Sequence, residues 1–360
     1  MMWSTARTRR LAARAAWIVL FGVVAAAAAC VKREPEPARV ASLTLGTAGR
    51  AFTVNGTPRF LLFVSYFDAL RRANAGGANV GDLTSDLLFF RAHGIDGIRI
   101  FPNWQYLQAN CRPDAANVSD DEQKLFKREG GINEAMWPVL TRVLDLARQH
   151  YLVVDVSFSR ETYATPIPVP AFTHTVVEVA ERLKGDVRYR HVMFDVQNEF
   201  DQGRQLMTAE EAVAIVNAIH QPSVDPLRLA SASGGSGGIH GGMDFVAFHD
   251  PREPGNWFTL EAIRAQVKRI EADPAATGPI YFQEPMPFAP SACGGVFDGD
   301  PAHTLEAARH AQEAGVAAWT FHTRQSFDLS QTTLQAILGD GPQKTAIETL
   351  SQFRSVAIER

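Results

Sequence analysis

Between residues 59 and 322 the chain switches repeatedly from short apolar, β-rich runs to stretches of helical spacing, and this alternation limits its fold more than any other feature. The strand candidates are residues 59–67, 95–101, 151–158, 191–197, 227–231, 244–249, 279–283 and 316–322. Apolar residues recur at three and four over 83–93, 137–150, 175–183, 209–220, 260–272, 304–314 and 334–353, which predicts helices there. Strands alternating with helices imply a parallel sheet. Eight such units in this length fit a closed (β/α)8 TIM barrel better than an open doubly wound sheet. One unit is incomplete. Residues 233–242 read SGGSGGIHGG, so a glycine-rich loop is expected to replace helix five. Ahead of the first strand, Asn55-Gly56 predicts the turn of a short hairpin.

The ends of the chain carry a different signal. Arg7, Arg9, Arg10 and Arg14 precede an apolar run over 15–29 that is too short to span a membrane. It ends Ala27-Ala28-Ala29-Cys30, which resembles a bacterial lipobox and implies lipidation of Cys30. Ala27 stands where such boxes usually carry leucine, so a plain secretory signal is the alternative. Either way export is expected, with membrane contact only through the N-terminal anchor. Residues 1–30 are thus read as leader, 31–45 as a solvated tether and 46–360 as a single barrel domain, expected to be monomeric. Hydrophobic residues at 46% allow a substantial core, and a net charge of -4 gives no footprint for nucleic acid. Cys111 and Cys293 are the other two cysteines. An oxidising compartment permits a disulfide between them, and two separate thiols are equally compatible with the sequence.

Barrels of this kind place their chemistry at the carboxyl ends of the strands. Strand four ends Asp195-Val196-Gln197-Asn198-Glu199, and strand seven ends Tyr281-Phe282-Gln283-Glu284. Two glutamates facing each other across a barrel mouth suit a retaining glycosidase. One carboxyl must be protonated to serve the leaving oxygen, and the other ionised to attack the anomeric carbon. In these residues and this order of elements the chain resembles glycoside hydrolase clan A, which includes family 5 cellulases and mannanases, over about residues 51–355. The resemblance implies Glu199 as acid/base, Glu284 as nucleophile and Asn198 as the residue holding the substrate's 2-hydroxyl. It also implies Arg99 beside the nucleophile, Trp319 stacked on a sugar, a carbohydrate substrate and no cofactor or metal. Two positions depart from that pattern. His249 ends strand six, but Pro251 stands where relatives carry tyrosine, and strand three ends Ser157-Phe158-Ser159-Arg160 without a histidine.

Plainer roles compete for each residue. The two glutamates could be solvated loop residues, Arg99 a buried partner of Asp155, Trp319 core, and His249 a brace for its loop. Trp104, after strand two, suits a sugar subsite or the barrel rim equally, and Trp257 is expected to pack the start of helix six. A second Asn-Glu, Asn133-Glu134, is expected to cap a helix and supply its first-turn acid. Two other functions also stay open. A metal-dependent sugar isomerase or epimerase could recruit Glu199, His249 and Glu284, although Asn198 and Arg99 are poor ligands and no HExxH occurs. A non-catalytic sugar-binding barrel lipoprotein would tolerate the missing tyrosine. A nucleophile elbow, a Walker loop and a Rossmann fingerprint are all absent.

Overall fold

A computed structural model describes residues 42–67, 69–74, 78–103, 124–160, 165–201, 206–235, 241–253, 255–285, 300–322 and 342–357. Cys30, Trp104, Cys111 and Cys293 lie outside these residues, as does the leader.

Strands β1 (Leu45–Ala48), β2 (Ala51–Val54) and β3 (Thr57–Arg59) form a small antiparallel sheet. The turn between β2 and β3 holds Asn55 at φ 52° and Gly56 at φ 79°, the left-handed pair expected of this dipeptide. Leu43, Leu45 and Phe52 are buried against Leu61, Val153 and Phe245 at the starts of barrel strands, so this sheet covers the amino-terminal end of the barrel. Residues 42–45, within the stretch expected to be tether, therefore belong to the packed unit.

The main sheet is parallel throughout. Its strands are β4 (Leu61–Ser65), β5 (Gly97–Ile100), β6 (Val153–Ser157), β7 (Val192–Asp195), β8 (Ala230–Ser231), β9 (Ser233–Gly234), β10 (Val246–Phe248), β11 (Ile280–Phe282) and β12 (Ala318–Phe321). The order is β8-β7-β6-β5-β4-β12-β11-β10-β9. β8 and β9 are two halves of one strand, separated by Ala232. The first half pairs back to β7 and the second forward to β10, so the two ends of the order meet and the sheet closes with eight strands.

The expected strands are all present but shorter, because hydrogen-bonded pairing stops where the chain turns out of the barrel. Helices α1 (Ala69–Asn74), α2 (Ala78–Ala92), α3 (Trp137–Gln149), α4 (Val169–Lys184), α5 (Ala209–Ile219), α6 (Leu260–Glu271), α7 (Pro301–Glu313) and α8 (Pro342–Ala357) surround it. The short α1 had no periodic signal to announce it. Between β9 and β10 no helix occurs among the described residues, as the glycine-rich run suggested. Local chemistry fixes several ends. Thr208 and Glu211 form a reciprocal capping box at α5, and Asp300 accepts from Ala302 N at 2.8 Å before Pro301 opens α7. Asn133-Glu134 does not cap α3. That helix starts at Met136-Trp137, Asn133 Oδ1 instead accepts from Ala135 N, and Glu134 pairs with Arg182.

The two-residue period of each strand sorts side chains between two environments. Leu62, Val64, Ile98, Ile100, Val154, Val156, Phe194, Phe282, Trp319 and Phe321 pack outward under the helices. Leu61, Phe63, Val153, Met193, Phe245, Ala247, Tyr281 and Ala318 fill the lower barrel interior. Gly97 belongs to this filling. A Cβ there would lie 2.4 Å from the Phe63 ring and 2.7 Å from Val153, so only glycine fits. Above this layer the inward positions become polar: Ser65, Arg99, Asp155, Ser157, Asp195, Ser233, His249, Gln283 and His322, all buried.

Candidate active site

Arg99 points inward from the middle of β5 and is fully buried. Its Nη1 donates to Glu284 Oε1 at 2.6 Å, and its Nη2 donates to Asn198 Oδ1 at 2.5 Å and Asp195 Oδ2 at 3.1 Å. Its Nε donates to Ser157 Oγ at 2.7 Å and lies 3.5 Å from Asp155 Oδ2. Both readings of this arginine therefore hold. It pairs with Asp155 and it also holds Glu284. Burial alone would favour a neutral guanidine, but Glu284, Asp155 and Asp195 outweigh it and raise the pKa above its ordinary value.

Glu284 follows β11 and is itself buried. Arg252 Nε donates to its backbone oxygen at 2.9 Å, and Arg252 Nη2 donates to its Oε2. His322 Nε2 and His249 Nδ1 lie 3.5 and 3.6 Å from the same oxygen. Burial would raise the Glu284 carboxyl. The facing His249 and His322, when protonated, and the permanent charges of Arg252 and Arg99 together reverse this and hold it well below the usual carboxylate range. His322 is pushed down to about 3 by burial and by the two arginines, so it stands neutral, its Nδ1 2.8 Å from Ser65 Oγ.

Glu199 lies where the chain leaves β7, at φ 50°, a left-handed conformation that costs a non-glycine residue about 1 kcal/mol or more. Three bonds impose this turn. Asn198 N donates to Phe158 O at 2.7 Å, Glu199 N to Ser233 Oγ at 3.1 Å and Phe200 N to Ser233 O at 3.0 Å. The turn sends Asn198 toward Arg99 and Glu199 toward His249, whose Nδ1 is 3.1 Å from Glu199 Oε1. Arg252 Nη2 is 3.5 Å from that same oxygen. Asp155, below the pair, is pushed up to about 7 by burial and by Asp195, against the pull of Arg99.

The expected residues Arg99, Asn198, Glu199, His249 and Glu284 thus come together. Trp319 does not join them. It sits on the outward phase of β12, fully buried among core side chains, while Ala318, Thr320 and His322 take the inward phase. Trp319 is corrected to core. Trp257 is buried just ahead of α6, as expected. Sequence reasoning missed Arg252, His322, Gln283 and Ser233. The parity of β12 would have found His322, two positions after inward Thr320. Arg252 had no periodic signal, because it lies in the loop beyond β10.

Glu199, His249 and Glu284 each offer one ligand-type atom, all within 4.8 Å of one another. This donor set does not fit a divalent cation. Both oxygens of Glu284 already accept from guanidinium groups, and Arg252 adds a further positive charge beside Glu199.

No family model and no curated protein sequence matches the chain. Solved structures do. The chain is similar to a family 5 glycoside hydrolase from Bacteroides vulgatus, at TM-score 0.55 and 14% identity, over 89% of this chain and 72% of that one. It is similar to a family 5 mannosidase from Rhizomucor miehei, at TM-score 0.56 and 13% identity, over 87% and 99%. It is also similar to a β-1,4-D-mannanase from Cryptopygus antarcticus, at TM-score 0.54 and 14% identity, over 85% and 95%. At such identities the likeness is one of architecture, and the chain has the parallel α/β barrel fold of these glycoside hydrolases.

Proposed function

We propose that this protein is a retaining glycoside hydrolase cleaving O-glycosidic bonds of a poly-, oligo- or glycoconjugate saccharide. The observation that carries the reading is the approach of carboxylate oxygens of Glu199 and Glu284 to within 4.8 Å at the mouths of strands four and seven. A separation of about 5 Å suits a covalent intermediate, whereas inverting enzymes leave room for a water.

In the first step ionised Glu284 attacks the anomeric carbon, and Glu199 gives its proton to the departing glycosidic oxygen. The C–O bond to the leaving group breaks as the glycosyl–Glu284 ester forms. In the second step Glu199 takes a proton from water, the water oxygen bonds to the anomeric carbon, and Glu284 leaves as carboxylate. Arg99 keeps Glu284 ionised and aimed. Asn198, whose Oδ1 is held by Arg99, retains its NH2 as donor to the sugar 2-hydroxyl. The basic, apolar leader ending at Cys30 supports an exported, lipid-anchored enzyme meeting its substrate outside the cytoplasm.

The test is turnover of aryl β-glycosides by the full-length protein beside Glu284→Ala. Mannosides come first, because similar structures include a mannosidase and a mannanase. Cleavage by the wild type with the β anomer released first, lost in the variant, supports the reading. Sugar binding without cleavage would overturn it in favour of a binding barrel.

A further inference from the structure

Buried side chains run from the barrel interior to Glu199. Gln283 Nε2 donates to Asp155 Oδ2 at 2.8 Å, and Gln283 Oε1 lies 3.3 Å from His249 Nε2. His249 Nδ1 then lies 3.1 Å from Glu199 Oε1. Gln283, Asp155 and His249 are all buried, so water does not compete for these contacts. The direction of the chain follows from its buried end. Asp155 Oδ2 accepts, so the NH2 of Gln283 faces it and the amide oxygen faces His249. An amide oxygen only accepts, so His249 Nε2 carries hydrogen. In a neutral imidazole Nδ1 is then the bare nitrogen, and the hydrogen in its contact with Glu199 belongs to the carboxyl.

We propose that Asp155 and Gln283 are positioning residues that lock His249 in its Nε2–H tautomer, so that His249 Nδ1 accepts the proton Glu199 carries as general acid. The relay rests on the glycosidase reading for its purpose but not for its geometry. The groups facing the Glu199–His249 contact are Arg252, Glu284 and His322. Arg252 is cationic and Glu284 anionic, so their charges largely cancel at this contact. The Tyr281 hydroxyl also bonds to Asp155, so the carboxylate serves as acceptor for both Tyr281 and the Gln283 amide. His249 does not consume the proton. Its Nδ1 only accepts the hydrogen bond, so the hydrogen that Glu199 gives to the departing oxygen is not retained on the ring.

Two readouts test this. The first is the ¹⁵N spectrum of the full-length protein with labelled histidines at pH 7, His249 being assigned by comparison with His249→Asn. The expected result is protonated Nε2 and bare Nδ1, with Gln283→Leu moving hydrogen to Nδ1. An imidazolium, or hydrogen on Nδ1 in the wild type, overturns the proposal. The second compares 2,4-dinitrophenyl and 4-methoxyphenyl β-mannosides. Gln283→Leu should lower kcat/KM at least about 30-fold for the poor leaving group and under about threefold for the good one. An equal loss on both, with the fold intact by circular dichroism, also overturns it. If the wild type cleaves neither mannoside, the same pair is made on the glycoside that it does cleave; if it cleaves none, the glycosidase reading fails and the tautomer alone decides the relay. Should Gln283→Leu not fold, Gln283→Glu replaces it, with a carboxylate that favours the His249 imidazolium and puts hydrogen on Nδ1.

Discussion

Arg252 grips Glu284 at two points, donating from Nε to its backbone oxygen at 2.9 Å and from Nη2 to its side-chain Oε2. One residue thereby holds the path of the chain beyond β11 and shares with Arg99 in keeping the carboxylate charged. It comes from the loop after His249, one position past Pro251, where the clan pattern leads one to look for a tyrosine. A phenol there would offer a neutral donor. The guanidinium brings a permanent charge instead.

Arg252→Gln keeps a donor and removes that charge. Glu284 then becomes a weaker acid, and activity that needs it ionised is lost at higher pH than in the wild type. The acid limb of the pH–kcat/KM profile should move toward neutrality, with about a tenfold loss at pH 5. An unmoved acid limb would mean Arg99 alone sets the ionisation.

Arg99→Ala should be far more damaging to the fold than any other change at the site. It leaves Asp155, Asp195 and Glu284 buried together without the cation they share. A loss of about 3–5 kcal/mol is expected, measured by urea denaturation at pH 7. The deficit should shrink at pH 5, where Glu284, freed from the charge that Arg99 supplies, can take up a proton.

Asp96 makes the fold lose stability as pH rises from about 4 to above 7, contrary to the usual behaviour of carboxylates. His191 and His322, which burial holds neutral, oppose this below about 6.5. Asp96, buried beneath Leu62 N with Arg59 at 3.1 Å, is pushed up to about 7 by burial from an ordinary 3.8. Between those values the folded chain holds a proton the unfolded chain does not, so raising the pH favours unfolding. Asp155 adds in the same direction. Asp96→Asn should raise the melting temperature at pH 8 relative to that at pH 5 by several degrees compared with the wild type, and an unchanged difference would mean that Asp96 carries no proton in the fold.

Trp319→Phe should leave KM for any cleaved glycoside within about twofold and lower stability by about 1–2 kcal/mol, since a buried ring shrinks while nothing at the mouth changes. A large rise in KM would return Trp319 to the substrate.

Much of this was legible from residue order alone, for reasons particular residues make plain. Strand-helix alternation, Asn55-Gly56 and the SGGSGG run all act locally, so the barrel, the hairpin turn and the unit without a helix could be read directly. Glu199 and Glu284 could be placed at the barrel mouth because both follow apolar strands. Trp319 was misplaced because a family pattern was followed where strand parity pointed the other way. Gln283 and Ser233 were passed over because their significance is a matter of partners, Asp155 and His249 for one and Asp195 for the other, which lie 34 to 128 residues away. Only closure of the sheet brings such pairs together.

The divided fifth strand bears on how this protein would fail under heat. Its halves contribute two paired residues each, as few as join β11 to β12, so the junction between β7 and β10 is thin on both sides. The same Ser233 that completes this junction also receives the amides of Glu199 and Phe200. A local opening there would free the left-handed turn at Glu199 while the other seven strands stayed paired. Amide exchange at residues 199, 200 and 233 should therefore outpace the rest of the sheet, and catalytic inactivation on warming should run ahead of loss of ellipticity.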